Sequence, residues 1–189
     1  MKFQEKLLDS FIAFEQDIDL LSPIHIDRKN ALKRFEKQGF PSKKDESWKY
    51  TSLKSIIQKN YNLSSKSDKS VELRDVKEYF LNDLDSFKIV FVDGIYSPFL
   101  SKTTHDGMDI CVLSAALSKD KYKSTLKKYF NQIVPKDQSL ASLNTSYTKE
   151  GAYIYIPKGA CPEDPVQIMH ISTGNQESIW LQPRNLIIA

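Results

Sequence analysis

Three histidines, two cysteines and two adjacent carboxylate pairs are the residues of this chain whose types suit acid-base, thiol or metal chemistry. His25, His105 and His170 lie far apart, none with an acid-base partner at a recognisable spacing, so no catalytic triad assembles from local pattern. Cys111 and Cys161 form no Cys-x-x-Cys pair and have no histidine at ligand spacing, which argues against a local zinc site. Cys111 sits in the apolar run Ile110-Cys111-Val112-Leu113 and reads as a buried, inert thiol. Cys161 follows Lys158-Gly159-Ala160 in a turn-rich stretch, where exposure is expected but no neighbour lowers its pKa. Asp45-Glu46 and Glu163-Asp164 flank turns or helix starts, where acids complement exposed N–H groups or face water. No Gly-rich phosphate loop of either familiar kind is present.

The most informative stretch is Gly39-Phe40-Pro41-Ser42-Lys43-Lys44-Asp45-Glu46-Ser47-Trp48-Lys49-Tyr50-Thr51-Ser52-Leu53. It reads as a helix stop, a turn and two aromatics bracketing a lysine. One reading has Trp48 and Tyr50 pinning one helix against the next; the other has Trp48, Lys49 and Tyr50 as a base-stacking platform. A lysine cluster, Lys119, Lys121, Lys123, Lys127 and Lys128, reads as a solvated helix face and alternatively as a surface for an acidic partner.

Elements must position these residues. From Phe3 to Leu21 apolar residues recur at three- and four-residue spacing, the mark of an amphipathic helix. Ser22-Pro23 stops it, Asp27 is the expected N-cap of a second helix, and Gly39 with Pro41 beyond ends that one. A short third helix is expected at 53–57, a polar surface loop at 64–70 and another short helix at 76–84. The period then shifts to two. Strands are expected at 87–92 and 110–113, helices at 121–134 and 139–147, and short strands at 152–156, 166–171, 179–181 and 186–188. This divides the chain into a helical region 1–85, a mixed connecting region 86–150 and a strand-rich region 151–189. Spacing alone leaves a sandwich, a barrel and the first coils of a parallel β-helix open for the last region.

Composition sets the class. The 189 residues are 40% hydrophobic and 27% charged, which is the profile of a packed globular protein. The formal net charge of +3 is spread evenly: 16 basic and 15 acidic residues fall in 1–85, 9 and 6 in 86–150, and 2 and 3 in 151–189. That is too weak a footprint for a dedicated nucleic-acid binder. The start, Met1-Lys2-Phe3-Gln4-Glu5-Lys6, lacks the apolar core of a signal peptide, and no apolar run approaches 18 residues, so a cytoplasmic protein that meets no membrane is expected. The chain stops within the apolar run Leu186-Ile187-Ile188-Ala189, so it is expected to be the N-terminal portion of a larger protein, able to self-associate through exposed strand edges.

The helix ending in Gly39-Phe40-Pro41, followed by Lys44-Asp45-Glu46, then Trp48-Lys49-Tyr50-Thr51 and Leu53, resembles the N-terminal signature of the SufD family, scaffold components of the SUF iron-sulfur cluster assembly system. Further segments resemble the family in order: Phe91-Val92-Asp93-Gly94, Leu143-Asn144, Gly151 through Pro165-Val166, and Pro183-Arg184-Asn185-Leu186-Ile187. The resemblance runs from about Arg28 to the last residue. It implies an α+β chain whose N-terminal helical region leads into a right-handed parallel β-helix. It also implies a non-enzymatic scaffold whose partners are a SufB-like protein and a SufC-like ABC-type ATPase. The iron-sulfur cluster would be built by the full complex, with no cofactor, metal or catalytic residue in this chain, and Trp48, Lys49, Tyr50 and Thr51 serving as a structural family motif. The rival reading is a nucleic-acid or carbohydrate binding module that uses Trp48, Tyr50 and the Lys119 to Lys128 face.

Overall fold

A computed structural model describes residues 3–63, 71–81, 84–104, 107–174 and 178–189; the expected loop at 64–70 and His105 lie outside them. In chain order the elements are α1 (Phe3–Gln16), α2 (His25–Gln38), α3 (Lys54–Ile57), α4 (Leu73–Val76), β1 (Phe87–Val92), β2 (Ile95–Tyr96), β3 (Asp109–Val112), α5 (Leu113–Ser118), α6 (Lys123–Tyr129), α7 (Ser139–Ser146), β4 (Ala152–Tyr155), β5 (Val166–Ile171) and β6 (Leu186–Ile188). Short 3-10 turns sit between several of them.

The strands form two three-stranded mixed sheets, in the orders β2-β1-β5 and β3-β4-β6. In the first, β1 pairs antiparallel with β2 and parallel with β5; in the second, β4 pairs antiparallel with β3 and parallel with β6. This corrects the expectation of a right-handed parallel β-helix. A solenoid needs each strand to stack in parallel on the next coil, whereas here the chain between β1 and β5 passes through three other strands and three α-helices. Antiparallel partners occupy one side of both β1 and β4. The expected strand at 179–181 contributes only an isolated bridge between Asn62 and Ile179.

Side-chain alternation explains the layers. Phe87, Ile89 and Phe91 of β1 meet Met108, Ile110, Ala152 and Ile154, so the two sheets pack face to face. Val90 and Val92 point the other way, against Val76, Phe80 and Leu100. On the far face of the second sheet, Tyr153 packs with Leu113, Leu117, Tyr122, Leu126 and Phe130 from the α5–α6 region. Burial on both faces is why β1 reads Phe-Lys-Ile-Val-Phe-Val, nearly continuous in apolar residues.

Helices α1, α2 and α7 form a separate core with Phe3, Leu7, Phe11, Phe35, Leu143 and Tyr147, to which Phe40 and Trp180 add rings. Helix α1 ends five residues before its apolar periodicity does, and Leu21 beyond it is exposed. Helix α2 begins at His25 with Ile24 at its cap, so Asp27 lies in the first turn and not at the N-cap. Gly39 closes that helix at φ 68, its N–H donating to the Phe35 carbonyl at 2.7 Å, as the sequence requires.

Two glycines test this packing. A Cβ on Gly151 would lie 1.9 Å from the Arg184 carbonyl oxygen, where one backbone crosses another, whereas Gly159, at φ 84, has nothing within 4 Å. Gly151→Ala is expected to cost about 3 kcal/mol, through displaced backbone, and Gly159→Ala about 1 kcal/mol, through its left-handed conformation alone. Urea unfolding of both variants measures this, and equal losses would refute the close crossing.

Candidate functional site

Where α1, the β1–β2 turn, the α7–β4 junction and the segment 180–183 converge, they leave a cleft of about 630 Å³. This is the size range of small-ligand sites. Its walls include Phe14, Phe91, Tyr96, Tyr147, Trp180 and Leu181, and its polar groups include Lys6, Asp17, Lys149, Glu150 and His170. The aromatic side follows from local packing. The Trp180 ring lies edge-on to Phe3 at 5.0 Å and to Tyr61 at 5.2 Å, and the His170 imidazole stacks on Phe91 at 4.9 Å with planes 11° apart. His170 faces Phe91 across the parallel register of β1 and β5.

Burial sets the charge states. Desolvation lowers the His170 pKa below its usual value, so its imidazole is neutral near pH 7. Desolvation raises the Glu150 carboxyl, against the opposing effects of the Ser114 hydroxyl, the Gly151 N–H and the Lys149 charge. Glu150 Oε2 and Trp180 Nε1 are buried with no hydrogen-bond partner among the described residues. The Tyr147 hydroxyl, on the opposite side, donates to the Leu7 carbonyl, and its pKa is raised by burial. The cleft thus offers aromatic contact, a neutral imidazole and a carboxyl that holds its proton more tightly than usual, an arrangement suited to binding a partly apolar group.

Of the histidines, cysteines, carboxylate pairs, aromatic motif and lysine cluster singled out in the sequence, only His170 lies in this cleft, where Phe91, Gly94 and Pro183 join it from the family segments. Trp48 ends a 3-10 turn, Glu46–Trp48, and is half-buried; Tyr50 is 91% exposed, with Lys49 Nζ 5.5 Å from its ring centre. Thr51 is exposed as well. Tyr50 therefore pins no helix, and the indole in the helical core belongs to Trp180. Asp45 accepts the Ser42 N–H at 2.6 Å and shapes the preceding turn. The lysine cluster is partly paired: Lys121 with Asp109 at 2.9 Å and Lys123 with Asp120 at 2.6 Å, while Lys128 lies over the Tyr129 ring. Cys111 is half-buried, its pKa raised by desolvation, and Cys161 is exposed. Among the described residues no three His, Cys, Asp or Glu side chains gather as metal ligands, and no helix is long and apolar enough to cross a membrane.

Sequence reasoning named His25 but assigned it no partner, whereas its Nε2 lies 3.2 Å from Glu15 Oε1, with Lys29 on the same oxygen at 3.2 Å. Ten residues separate Glu15 from His25, across the α1–α2 turn, so no helical spacing announces the pair. Sequence reasoning missed Glu150, whose only sequence signal is a carboxylate directly before Gly151 at the start of an apolar strand.

Helical cap, paired mixed sheets and a cleft at their junction define an α+β domain in which β5 and β6 lie at the edges of their sheets. The chain belongs to the SufBD family: residues 1–168 match the family described as SufBD protein N-terminal region. It is similar to an iron-sulfur cluster assembly SufBD family protein of Synechocystis, 23% identical over 148 residues that cover 78% of this chain and 32% of that one. It is also similar to the iron-sulfur cluster assembly protein SufD of Escherichia coli, 29% identical over 147 residues, covering 76% and 30%. A SufBD family protein of Guillardia theta is 30% identical over 147 residues, covering 68% of this chain. The chain spans about a third of the length of the first two relatives.

Because the folded Glu150 pKa is raised above its unfolded value, the native state holds the extra proton, and stability falls as pH rises from the unfolded pKa to the folded one. Glu150→Gln is expected to remove that fall, so its stability relative to wild type improves as pH increases from about 4.5. Urea midpoints at several pH values between 4.5 and 7 measure the difference; a pH-independent gap between the two proteins would refute the raised pKa.

Proposed function

We propose that this chain is the N-terminal part of a SufD-like scaffold subunit that supports iron-sulfur cluster assembly. The observation that carries this reading is the family match across residues 1–168. Relatives whose names place them in iron-sulfur cluster assembly, among them a SufD, support the finer assignment. The partners are a SufB-like protein and a SufC-like ABC-type ATPase, the compartment is the cytoplasm, and the chain itself is non-catalytic. The cluster is cargo of the whole complex and not a resident cofactor of this region.

The geometry is consistent with work by contact. Among the described residues β5 and β6 each pair on one side only, at the edge of their sheets, and their side chains are half-buried or exposed. Large apolar residues stand exposed on separate parts of the surface, including Leu21, Tyr50, Phe99 and Ile133. Sheet edges and apolar surface of this kind favour protein association. The paired lysines leave the rival nucleic-acid surface weaker than the sequence alone suggests.

Affinity purification of the tagged full-length product from its own cells without oxygen, followed by mass spectrometry, tests the reading. Stoichiometric recovery of an ABC-type ATPase and a second SufBD-family protein is the expected result. Recovery alone, or with nucleic acid, would overturn it.

A further inference from the structure

A second, smaller cavity of about 120 Å³ lies between α2, α7 and the turn that joins α6 to α7. It is polar and basic. Arg34 enters from α2, Lys136 from the turn and Arg184 from the segment before β6, with Asp27 as the carboxylate in the lining. The Arg184 guanidinium is half-buried, donating from Nη1 to Asn144 Oδ1 at 3.2 Å and from Nη2 to Asn131 Oδ1 at 2.9 Å, and it lies over the Phe130 ring. Arg34 Nε donates to Ser142 Oγ at 3.3 Å. Among the described residues, neither arginine, Lys136 nor Asp27 forms an ion pair.

Two guanidinium groups held only by neutral oxygens are an unbalanced arrangement. A partly desolvated cation is stabilised strongly by an anion and weakly by amide and hydroxyl groups. Burial lowers the Arg184 pKa, in keeping with a cation that lacks a counter-charge. Asn131 sits at φ 57, a left-handed conformation that asparagine tolerates better than other non-glycine residues. Its Oδ1 accepts from both Arg184 and Thr145, while its buried Nδ2, a donor, has no partner among the described residues. Three cations against one carboxylate leave two positive charges, and the cavity has room for only a few heavy atoms.

We infer that this cavity binds a phosphate dianion through the guanidinium groups of Arg34 and Arg184, with Lys136 at its mouth. Bidentate guanidinium donors match the oxygen spacing of phosphate, which a lysine alone does not. The site is independent of the scaffold reading, because it is lined by this chain's own residues and needs no partner protein. The phosphate group belongs either to the free ion or to a small organic monoester.

Calorimetric titration of the 189-residue chain with sodium phosphate, at constant ionic strength in chloride, tests this. Saturable one-to-one binding is expected, weakened at least tenfold by Arg34→Gln and severalfold by Lys136→Gln. Neither substitution should shift the melting temperature without phosphate. Arg184→Lys, which keeps the charge but loses the fork, should weaken binding while circular dichroism shows the fold intact. Glycerol phosphate separates the sources: binding equal to that of phosphate assigns the site to an organic monoester, and binding of phosphate alone assigns it to the free ion. Absence of saturable binding, or equal weakening by Arg34→Gln and the control Lys158→Gln, would overturn the inference.

Discussion

The C-terminal end of α7 is the point on which the two halves of the structure depend. Within a few residues the Tyr147 hydroxyl donates to the carbonyl of Leu7 in α1, and the Thr148 carbonyl accepts from Arg28 Nε of α2 at 3.0 Å. Arg28 is 3% exposed and its pKa falls to about 10 through burial, against the opposing pull of the Asp19 charge, so its buried cation depends on the Thr148 carbonyl and on Asp19 together. Three residues later, at Gly151, the chain enters β4 while the backbone of Arg184 crosses against it. Helical cap and sheets are thereby joined through buried, directional contacts, and neither can shift without breaking them.

From this junction the sheets follow. β4 supplies Tyr153 to one face and Ala152 and Ile154 to the other, and β1 is likewise covered on both faces. Each central strand then has one antiparallel and one parallel neighbour. The antiparallel β1–β2 pair arises from local chain reversal at Asp93-Gly94, whereas the antiparallel β3–β4 pair closes only after α5, α6 and α7, and the parallel pairs need long crossovers. Mixed sheets are the result, with β5 and β6 at their edges.

The same junction places the two cavities. Tyr147 and Glu150 face the aromatic cleft, while Ser142 and Thr145, on the α2 side of α7, face the basic pocket. In both, ionisable groups are desolvated without a full counter-charge: Glu150 in the first, Arg184 in the second. Such groups weaken a fold slightly and are common where a protein meets a ligand or partner.

Much was legible in the sequence. The period of apolar residues placed α1, α2, α7, β1, β4, β5 and β6 to within a few residues, because each element's own core face imposes its spacing. Gly39 announced its helix end, and the Gly-Phe-Pro and Trp-Lys-Tyr-Thr elements pointed to the family. Legibility stopped where partners are distant in sequence. Which edge of β1 receives β5, the pairing of Glu15 with His25, and the meeting of Arg34 with Arg184 all depend on chain segments brought together by packing. Tyr50 looked like a core residue and stands in solvent, because an aromatic side chain in a turn is buried only if another element covers it. The sequence by itself determined the elements, the α+β class and the family, since these rest on local periodicity and short motifs. Only the tertiary structure decided the mixed sheets, the cleft and the basic pocket, since strand pairing and charge clustering are set by contacts between residues far apart along the chain.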